Sequence, residues 1–465
     1  MKKLITILLF FTQTFWLGAQ PALNQIDDFG REANITSSLI ATDSCYYTLG
    51  TVYNDLIPSH LDLVFTKFDL NGVILSQKFH HNDSLDFSAV SSNDFFESID
   101  GSFNYFANAG PYFCFFKFNH LGDTISTHLV FDFNFTNNLN SVALIEIIED
   151  SLDSTLNTLF WVQDESIPAE KAVFAKFNKN GELLSYQIYT SPLQGQGYNS
   201  IIPSGLIVKA DGNFVILSRL KKSGSILNTR FTIHIIEINP AGTILNSYTD
   251  FTHDLMFEQN AFLATQDDGF LFTGCLGSSI QGNTIYRKNL ICKLKEDFSI
   301  DWEIISSDSA STINWIGMSE LIEIDQNNFA AAGKALQDSL VEGYLIKFDN
   351  QGNTKWDSYF RIAEWTSWSL IPDHSFYDLE KTEDNGFVLV GDVKDGYSST
   401  YQQGWLVKTD SNGCLVAECQ EFLNTPSLTD NFSWGVFPNP TPGFILIKLP
   451  FFFSGLAPVI THICG

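Results

Sequence analysis

One short phrase recurs along most of the chain: an apolar strand that runs into Lys, an aromatic residue, Asp or Asn, two variable residues and Gly. The clearest copies end at Gly72, Gly122 and Gly181, and steps of 50 to 61 residues separate consecutive copies. Repetition at this spacing indicates a row of similar structural units, which constrains the architecture before any single residue is interpreted. The seven copies begin at Lys67, Lys117, Lys176, Glu237, Lys293, Lys347 and Lys408.

Each copy belongs to a unit of four strand-like segments. In the last unit, the turn Asp384-Asn385-Gly386 precedes the apolar run Phe387–Gly391, and Gly404–Lys408 follows after a polar loop. We predict Cys414–Cys419 as the fourth strand of this unit. Asx and Gly between apolar runs are a strong hairpin signal, because the tight turn needs a positive φ that Gly and Asn tolerate.

Four antiparallel strands per unit, repeated seven times, predict an all-β fold, the seven-bladed β-propeller. Closure into a ring would pack every sheet face against a neighbour and leave only short edges. A β-solenoid or two stacked sandwiches are the alternatives, and four strands in units of this length favour the propeller. The predicted propeller spans 20–419, with blades near 35–84, 85–132, 133–192, 193–252, 253–310, 311–365 and 366–419.

Composition excludes some classes of function. Apolar residues make up 44% of the 465 residues and 42 residues are Phe, which suits packed, pleated surfaces. The formal net charge of −27 disfavours nucleic acid as a partner, because neutralising phosphates requires clustered Lys and Arg. The negative charge is spread along the chain, as expected for a soluble, self-repelling surface.

The N-terminal residues 1–19 are typical of an export signal. Lys2 and Lys3 precede the apolar run Leu4–Trp16, and small residues near Ala19 offer a cleavage site before Gln20. The run is short for a membrane anchor, and no later segment is apolar enough to span a bilayer. We therefore expect a mature chain without a membrane span.

The composition and the strand pattern of the sequence change after residue 419. Residues 420–433 are polar and are predicted as a linker, and 434–465 form a short terminal segment with the alternating strand Phe444–Leu449. A phrase in this segment resembles the start of the type A C-terminal sorting domain of the type IX secretion system. The matching residues are Phe437, Pro438, Asn439, Pro440, Thr441 and Gly443.

This resemblance implies a two-step export route in a Gram-negative bacterium, with the type IX secretion machinery as a partner. The expected location is secreted or on the outer cell surface. The tail Pro450–Gly465 shows no further strand alternation, so we expect only a truncated, partial sorting domain. If that domain is not recognised, the protein would stay in the periplasm.

Seven Cys residues leave at least one without a partner in the chain. Cys414 and Cys419 flank the predicted last strand, and Cys275 and Cys292 fall on neighbouring predicted strands. Either pair could form a disulfide, since geometry decides the pairing.

No residue pattern assigns chemistry to this chain. The sequence contains no Gly-x-Ser-x-Gly, phosphate-binding or His-Glu-x-x-His motif, so we predict no cofactor and name no catalytic or metal-binding residue. His80 and His81 are adjacent on a predicted strand and should point to opposite faces, away from a common ion. The Asp267-Asp268-Gly269 turn lacks the full ligand set of a calcium loop.

Two functions fit these observations. The favoured one is a non-catalytic binding or structural propeller for an extracellular protein or glycan, with specificity in the loops Ser278–Lys288 and Val393–Gln403. The alternative is an extracellular polysaccharide hydrolase or lyase with paired carboxylates and a His in the central cavity. A deep pocket of carboxylates and aromatic residues would favour the enzyme, and a shallow mixed rim would favour binding.

Overall fold

β-Strands make up almost all regular structure of the described residues, and a 3-10 turn at Gln194–Gln196 is the exception. The computed structural model describes 22–415, 436–438 and 445–447. Its internal gaps are 28–33, 55–56, 58–59, 90–94, 110–111, 131–138, 165–168, 223–230, 256–260, 282–283, 308, 312–315, 338–339, 363–372 and 395–401. The predicted all-β class is confirmed, and the sheets of the described residues include four-stranded antiparallel ones.

The strands pair in antiparallel meanders, which we number in chain order. Meander 1 has β2 Asn34–Ala41, β3 Cys45–Tyr53, β4 Leu61–Asp69 and β5 Ile74–His80. Meander 2 has β6 Phe87–Ser88, β7 Phe96–Glu97, β8 Phe103–Ala109, β9 Tyr112–Phe118 and β10 Thr124–Val130. Meander 3 has β11 Leu139–Glu149, β12 Leu156–Asp164, β13 Glu170–Phe177 and β14 Leu183–Tyr189. Meander 4 has β15 Tyr198–Val208, β16 Phe214–Lys222, β17 Phe231–Ile238 and β18 Ile244–Leu255.

The later meanders share hydrogen-bonded sheets with a neighbour. Meander 5 has β19 Phe262–Ala264, β20 Phe270–Gln281, β21 Thr284–Leu294, β22 Ile300–Ile305 and β23 Ala310–Ser311. Meander 6 has β24 Gly317–Asp325, β25 Asn328–Gln337, β26 Leu340–Asp349 and β27 Thr354–Phe360. Meander 7 has β28 Asp373–Lys381, β29 Phe387–Lys394 and β30 Gln402–Thr409. One residue pair, Leu255 with Leu276, joins meanders 4 and 5, and Val341 with Asp373 joins meanders 6 and 7.

Meander 7 takes its outer strand from the N-terminal end of the described chain. Strand β1, Leu23–Asp27, pairs antiparallel with β30 from Lys408 to Gly404. The prediction of Cys414–Cys419 as this strand is wrong: β1 occupies the edge, Cys414 and Leu415 are not in a strand, and 416–419 lie outside the described residues. Strand β1 was missed because Leu-Asn-Gln-Ile-Asp carries only two apolar residues and no flanking turn signal.

The recurrent Asp or Asn of the sequence phrase closes the turn between the third and fourth strands. In meander 6, the Asp349 side chain accepts hydrogen bonds from the backbone N–H groups of Gln351 and Asn353. Gly352 follows at a φ of 80°, a left-handed conformation that Gly adopts without steric cost. The same side-chain-to-backbone pattern is present at Asp69, Asn119, Asn178, Asn239 and Asp410.

The recurrent Lys reaches across the end of the sheet to the other hairpin. Lys408 is fully buried and lies 3.0 Å from a carboxylate oxygen of Asp384, in the turn before the second strand. Lys117 pairs with Asp100, and Lys293 with Asp267, in the same way. Meander 4 reverses the polarity: Glu237 occupies the Lys position and binds Lys209 of the opposite turn at 2.8 Å. In meanders 2, 4, 5 and 7 an ion pair is therefore present at this point, with either polarity.

Apolar clusters lie between successive meanders. The cluster between meanders 1 and 2 contains fully buried Phe65 and Phe118, each worth about 1.5–3 kcal/mol on burial. Equivalent clusters follow in chain order up to meanders 6 and 7. A further cluster joins meander 7 to meander 1 through Val388, Leu406 and Tyr46. The core is thus divided among the meander interfaces.

The interface of meanders 7 and 1, which we call the seam, is poorer in apolar residues than the others. Its cluster contains six buried apolar residues in the described part of the chain, against eleven or more in each of the other inter-meander clusters. Polar contacts supplement it. The Leu39 N–H donates to Asp378 at 2.7 Å, and the Gln25 amide of β1 donates to the Gly72 carbonyl at 2.9 Å.

Replacing Lys408 with Met should lower the free energy of unfolding by about 3 kcal/mol, because it leaves the buried Asp384 carboxylate without its counter-charge. Chemical denaturation measures the change. Lys295→Met is the matched control, since Lys295 and Asp301 form an exposed pair worth less than about 1 kcal/mol. Equal effects of the two substitutions would contradict a stabilising role for the buried pair.

Asp27 of β1 should make stability depend on pH. Burial raises the pKa of Asp27 to about 7 from its ordinary 3.8, so the folded state binds this proton more tightly than the unfolded state. The contribution of Asp27 to stability is then greatest below pH 4 and is lost as the pH rises towards 7. Asp27→Asn should flatten this slope and stabilise the protein at pH 8 by up to about 4 kcal/mol. Denaturation at pH 5 and pH 8 tests it, and an unchanged slope in the variant would refute it.

Candidate functional site

The two adjacent His residues bind different partners. The His80 ring packs 4.9 Å from the Phe118 ring and its Nδ1 hydrogen-bonds Thr124, whereas His81 lies between Asp62 at 3.0 Å and Asp83 at 2.9 Å. Burial lowers the pKa of His80, and the hydrogen bond to Asp62 raises that of His81. The two imidazoles therefore do not share one site.

The acidic turn at Asp267 is occupied by protein groups. Its carboxylate accepts hydrogen bonds from Lys293 and Thr265, and Asp268 adopts a φ of 59°. These contacts satisfy the turn within the chain. Among the described residues, no three or more His, Cys, Asp or Glu side chains are grouped so that they could hold a metal ion.

The structure separates two of the cysteines considered for a disulfide. Cys275 pairs with Asn289 and Cys292 with Phe272, an offset of three residues that puts the two thiols on opposite faces of the sheet. The two cysteines are therefore not joined by a disulfide, and this possible pairing is wrong. Cys414 is disulfide-bonded, and Cys419, its predicted partner, lies outside the described residues.

The terminal segment forms a separate compact unit, Glu418–Gly465. Within it, β31 Val436–Pro438 pairs antiparallel with β32 Ile445–Ile447. Phe437 and Pro438 of the sorting-domain phrase are in β31, and Asn439, Pro440, Thr441 and Gly443 lie outside the described residues. The role of these residues in sorting stays a prediction.

In the part of the chain that the structure describes, a groove between meanders 5 and 6 is the best candidate for a ligand site. In meander 6, Tyr344 of β26 is opposite Tyr359 of β27, and Ile346 is opposite Asp357. Strand alternation puts these side chains on one face, where Ile304 of β22 packs against the same apolar cluster. The groove has a volume of about 150 Å³. Its lining residues are Ile304, Ile305, Ser306, Ser307, Ile316, Ala335, Leu336, Tyr344, Ile346, Thr354, Asp357 and Tyr359.

The chemistry of the groove combines two phenol rings with one carboxylate. The Tyr344 and Tyr359 ring centroids are 4.9 Å apart at an interplanar angle of 49°, and the Tyr344 hydroxyl donates to Asp357 Oδ2 at 3.1 Å. Burial raises the pKa of Tyr344, so this hydroxyl stays protonated and remains a donor. Tyr344 is buried, Tyr359 half-buried and Asp357 exposed. The groove therefore offers an aromatic wall and an accessible anionic acceptor.

The two loops that the sequence predicts to determine ligand specificity do not line this groove. Most of Ser278–Lys288 belongs to the long strands β20 and β21, so the loop expectation is wrong there. The ends of Val393–Gln403 belong to β29 and β30, and 395–401 lie outside the described residues. The sequence feature that could have indicated the groove is Asp357, which lies between Trp356 and Tyr359. It is a carboxylate within an aromatic strand.

A second group of ionisable side chains joins the outer strands of meanders 4 and 5. His253 lies between Asp250, 2.5 Å from its Nδ1, and Glu303, 2.6 Å from its Nε2. The Asp250 side chain is buried and also accepts a hydrogen bond from Thr252. Both carboxylates are engaged by one imidazole, which makes this group an inter-meander ionic contact.

Comparison with known proteins gives distant structural similarities. No protein-family model matches the sequence, and a search of curated proteins found no match. The solved polysaccharide lyase Uly1 is 10% identical with a TM-score of 0.45, covering 81% of this chain and 90% of its own. The β-propeller domain of the Trilobed protease from Pyrococcus furiosus is 11% identical with a TM-score of 0.37, covering 81% and 95%. An α-L-arabinanase from Penicillium chrysogenum is 11% identical with a TM-score of 0.42, covering 68% and 92%.

At these identities and TM-scores the matches assign neither a ligand nor an activity to this chain. The described residues also contain no helix that is long and apolar enough to cross a membrane.

Proposed function

We propose that this chain is an exported, non-catalytic binding protein, built as a closed seven-bladed β-propeller, whose ligand occupies the groove of Tyr344, Asp357 and Tyr359. The ligand is an extracellular glycan or protein. The single observation that carries the proposal is the groove itself, where an aromatic pair and one accessible carboxylate line a small concave site. Concave sites with a few placed polar groups are the usual form of ligand pockets.

Ring closure is supported by the order of the apolar clusters. Each cluster joins consecutive meanders, and the seam cluster joins the last meander to the first. Strand β1 completes the last meander and its Gln25 also contacts Gly72 of the first. On this proposal each meander is one blade, and the N-terminal strand closes the ring.

Export is supported by sequence alone. The proposed route uses the signal segment 1–19 and the phrase that begins at Phe437, with delivery to the exterior or outer surface of a Gram-negative bacterium. The type IX secretion machinery is the proposed partner in that step.

The proposal of a non-catalytic function rests on where the described carboxylates lie. Hydrolysis of a glycosidic bond by the common mechanism requires two carboxyl groups that flank the scissile bond. The groove supplies Asp357, and no second carboxylate is among its described lining residues. This arrangement favours binding over cleavage.

A polysaccharide hydrolase or lyase remains the second candidate. The observation that favours it is the Asp250–His253–Glu303 group, which contains a carboxylate pair and an imidazole beside exposed Phe251. For catalysis at least one of these carboxylates would have to leave His253 and contact substrate. The binding proposal predicts that neither the wild type nor the Glu303→Gln variant cleaves a saccharide.

Tyr359→Ala should weaken ligand binding at least tenfold, because it removes half of the aromatic wall while Tyr344 stays in place. A glycan array probed with the full chain identifies ligands, and titration calorimetry measures the dissociation constants of the wild type and the variant. Tyr186→Ala is the matched control: it also removes a Tyr from the fourth strand of a meander, but in meander 3, away from the groove. Release of cleaved saccharide, or binding that Tyr359→Ala leaves intact, would overturn the proposal.

A further inference from the structure

We infer that His253, Asp250 and Glu303 form a proton-dependent clamp that holds β22 in place and so controls the ligand affinity of the groove between meanders 5 and 6. The inference rests on the proposed function, because it names a regulation of the same groove. It follows from the hydrogen bonds of one imidazole, from the contacts of β22 and from the lining of the groove.

Both ring nitrogens of His253 contact a carboxylate. Asp250 Oδ2 lies 2.5 Å from Nδ1, and Glu303 Oε1 lies 2.6 Å from Nε2. An ionised carboxylate only accepts hydrogen bonds, and a neutral imidazole carries a single N–H. Both contacts can therefore be hydrogen bonds at the same time only when the ring is protonated. In the neutral ring, one nitrogen lone pair would face a carboxylate oxygen, and that contact would be repulsive.

Asp250 holds the imidazole on the side of meander 4. Burial opposes its ionisation, but hydrogen bonds from Thr252 and His253 keep the pKa of Asp250 below its ordinary 3.8. Thr252 donates to Asp250 Oδ1 from its backbone N–H at 2.8 Å and from its hydroxyl at 2.6 Å. The Asp250 side chain is 5% exposed and that of Glu303 is 25% exposed. Glu303 is therefore the partner that can turn to solvent when the ring is neutral.

The other ionisable groups on the surrounding strands and turn do not replace this proton. They are His234, Tyr248, Lys288, Cys292, Asp297 and Asp301. Burial lowers the pKa of His234 to about 4 and raises those of Tyr248 and Cys292, so these three groups are uncharged near neutral pH. Ser299 donates to Asp297, and Lys295 pairs with Asp301 at 3.7 Å. Among the described residues, no Lys or Arg forms an ion pair with either carboxylate of the clamp.

The two faces of β22 contact different meanders, because successive side chains of a strand point to opposite sides. Glu303 contacts His253 of meander 4, whereas Trp302 and Ile304 pack against the apolar cluster shared with meander 6. Ile304 and Ile305, the two residues that follow Glu303, line the groove. The position of Glu303 therefore determines where one wall of the groove lies.

Loss of the proton loosens this wall. Removing one partner of a largely buried ion pair leaves the other charge uncompensated. Once Glu303 turns to solvent, β22 keeps its pairing with β21 and its contacts with meander 6, but it is no longer held to meander 4. Imidazole is the side chain that ordinarily changes charge between pH 5 and 8. The clamp is therefore closed at pH 5.5 and open at pH 8.5, and the groove binds its ligand more tightly at the lower pH.

Hydrogen exchange of the full chain at pH 5.5 and pH 8.5 tests the clamp without a ligand, with labelling times scaled for the intrinsic pH dependence of amide exchange. We expect the protection of the Ile300–Ile305 amides that donate to β21 to fall at least tenfold at pH 8.5. His253→Ala should give the low protection at both pH values. Glu303→Gln should give the high protection at both, because the glutamine amide donates to a neutral ring nitrogen and needs no further proton.

His81→Ala is the matched control. His81 also lies between two carboxylates, those of Asp62 and Asp83, but it belongs to meander 1. Its replacement should leave the pH response of Ile300–Ile305 unchanged.

A glycan array probed at pH 5.5 and pH 8.5 tests the regulation of the groove. For glycans whose binding depends on Tyr359, the half-saturating concentration of the wild type should rise about tenfold at pH 8.5, within the usual range of coupling between two sites. The same concentration should not change with pH for Glu303→Gln, and His81→Ala should behave as the wild type.

The outcomes separate the inference from the proposed function. Protection of Ile300–Ile305 that does not change with pH, or a pH response that persists in His253→Ala, would overturn the clamp and leave a binding protein. A clamp that responds to pH while Tyr359-dependent binding does not would overturn the regulation of the groove. If neither the glycans nor an array of defined peptides bind in a Tyr359-dependent manner, the proposed function and its regulation both fail, and the exchange data still show whether the clamp exists.

Discussion

The rest of this structure depends on one interaction. The turn between the third and fourth strands of each meander packs against the preceding meander. A Cβ added to Gly352 would come within 2.8 Å of the Trp302 ring, and Trp302 Nε1 donates to the neighbouring Asn350 carbonyl. In meander 1 the partner of Gly72 is Gln25 of β1. Gly is needed at these turns for its left-handed φ and also for this close approach, and the same contact recurs at Gly122 on Phe65, Gly181 on Phe115 and Gly413 on Trp356.

This constraint explains the recurrent phrase position by position. In meanders 2, 5 and 7 the Lys neutralises a carboxylate of the opposite hairpin, and the aromatic residue, such as Phe68 or Phe348, is fully buried between meanders. The Asx residue satisfies the turn backbone, and the Gly contacts the preceding meander. These contacts give the repeated residues a structural role. The proposed ligand site, with Tyr344 and Asp357, lies at positions outside the phrase.

The sequence predicted local structure well wherever turn chemistry and strand period agreed. Phe387–Gly391 lies within β29, and Gly404–Lys408 lies within β30. Strand β1 was not predictable. Its position at the edge is set by pairing with β30, which is almost the whole chain away in sequence, and its sequence pattern is weakly apolar. The groove was not predictable either. It depends on the register that puts Tyr344 opposite Tyr359 and on the approach of β22 from another meander.

The central claim is that β1 acts as the outer strand of the last meander and so joins the two ends of the row. Hydrogen exchange measured by mass spectrometry on the segment Leu23–Asp27 tests it most directly, because amides bonded to a stable neighbouring strand exchange slowly. The account predicts that the amides of Leu23–Asp27 that donate to β30 exchange as slowly as those of Gln402–Thr409, the partner strand in the sheet. Exchange of this segment at the rate of an unstructured terminus, with Gln402–Thr409 still protected, would contradict it.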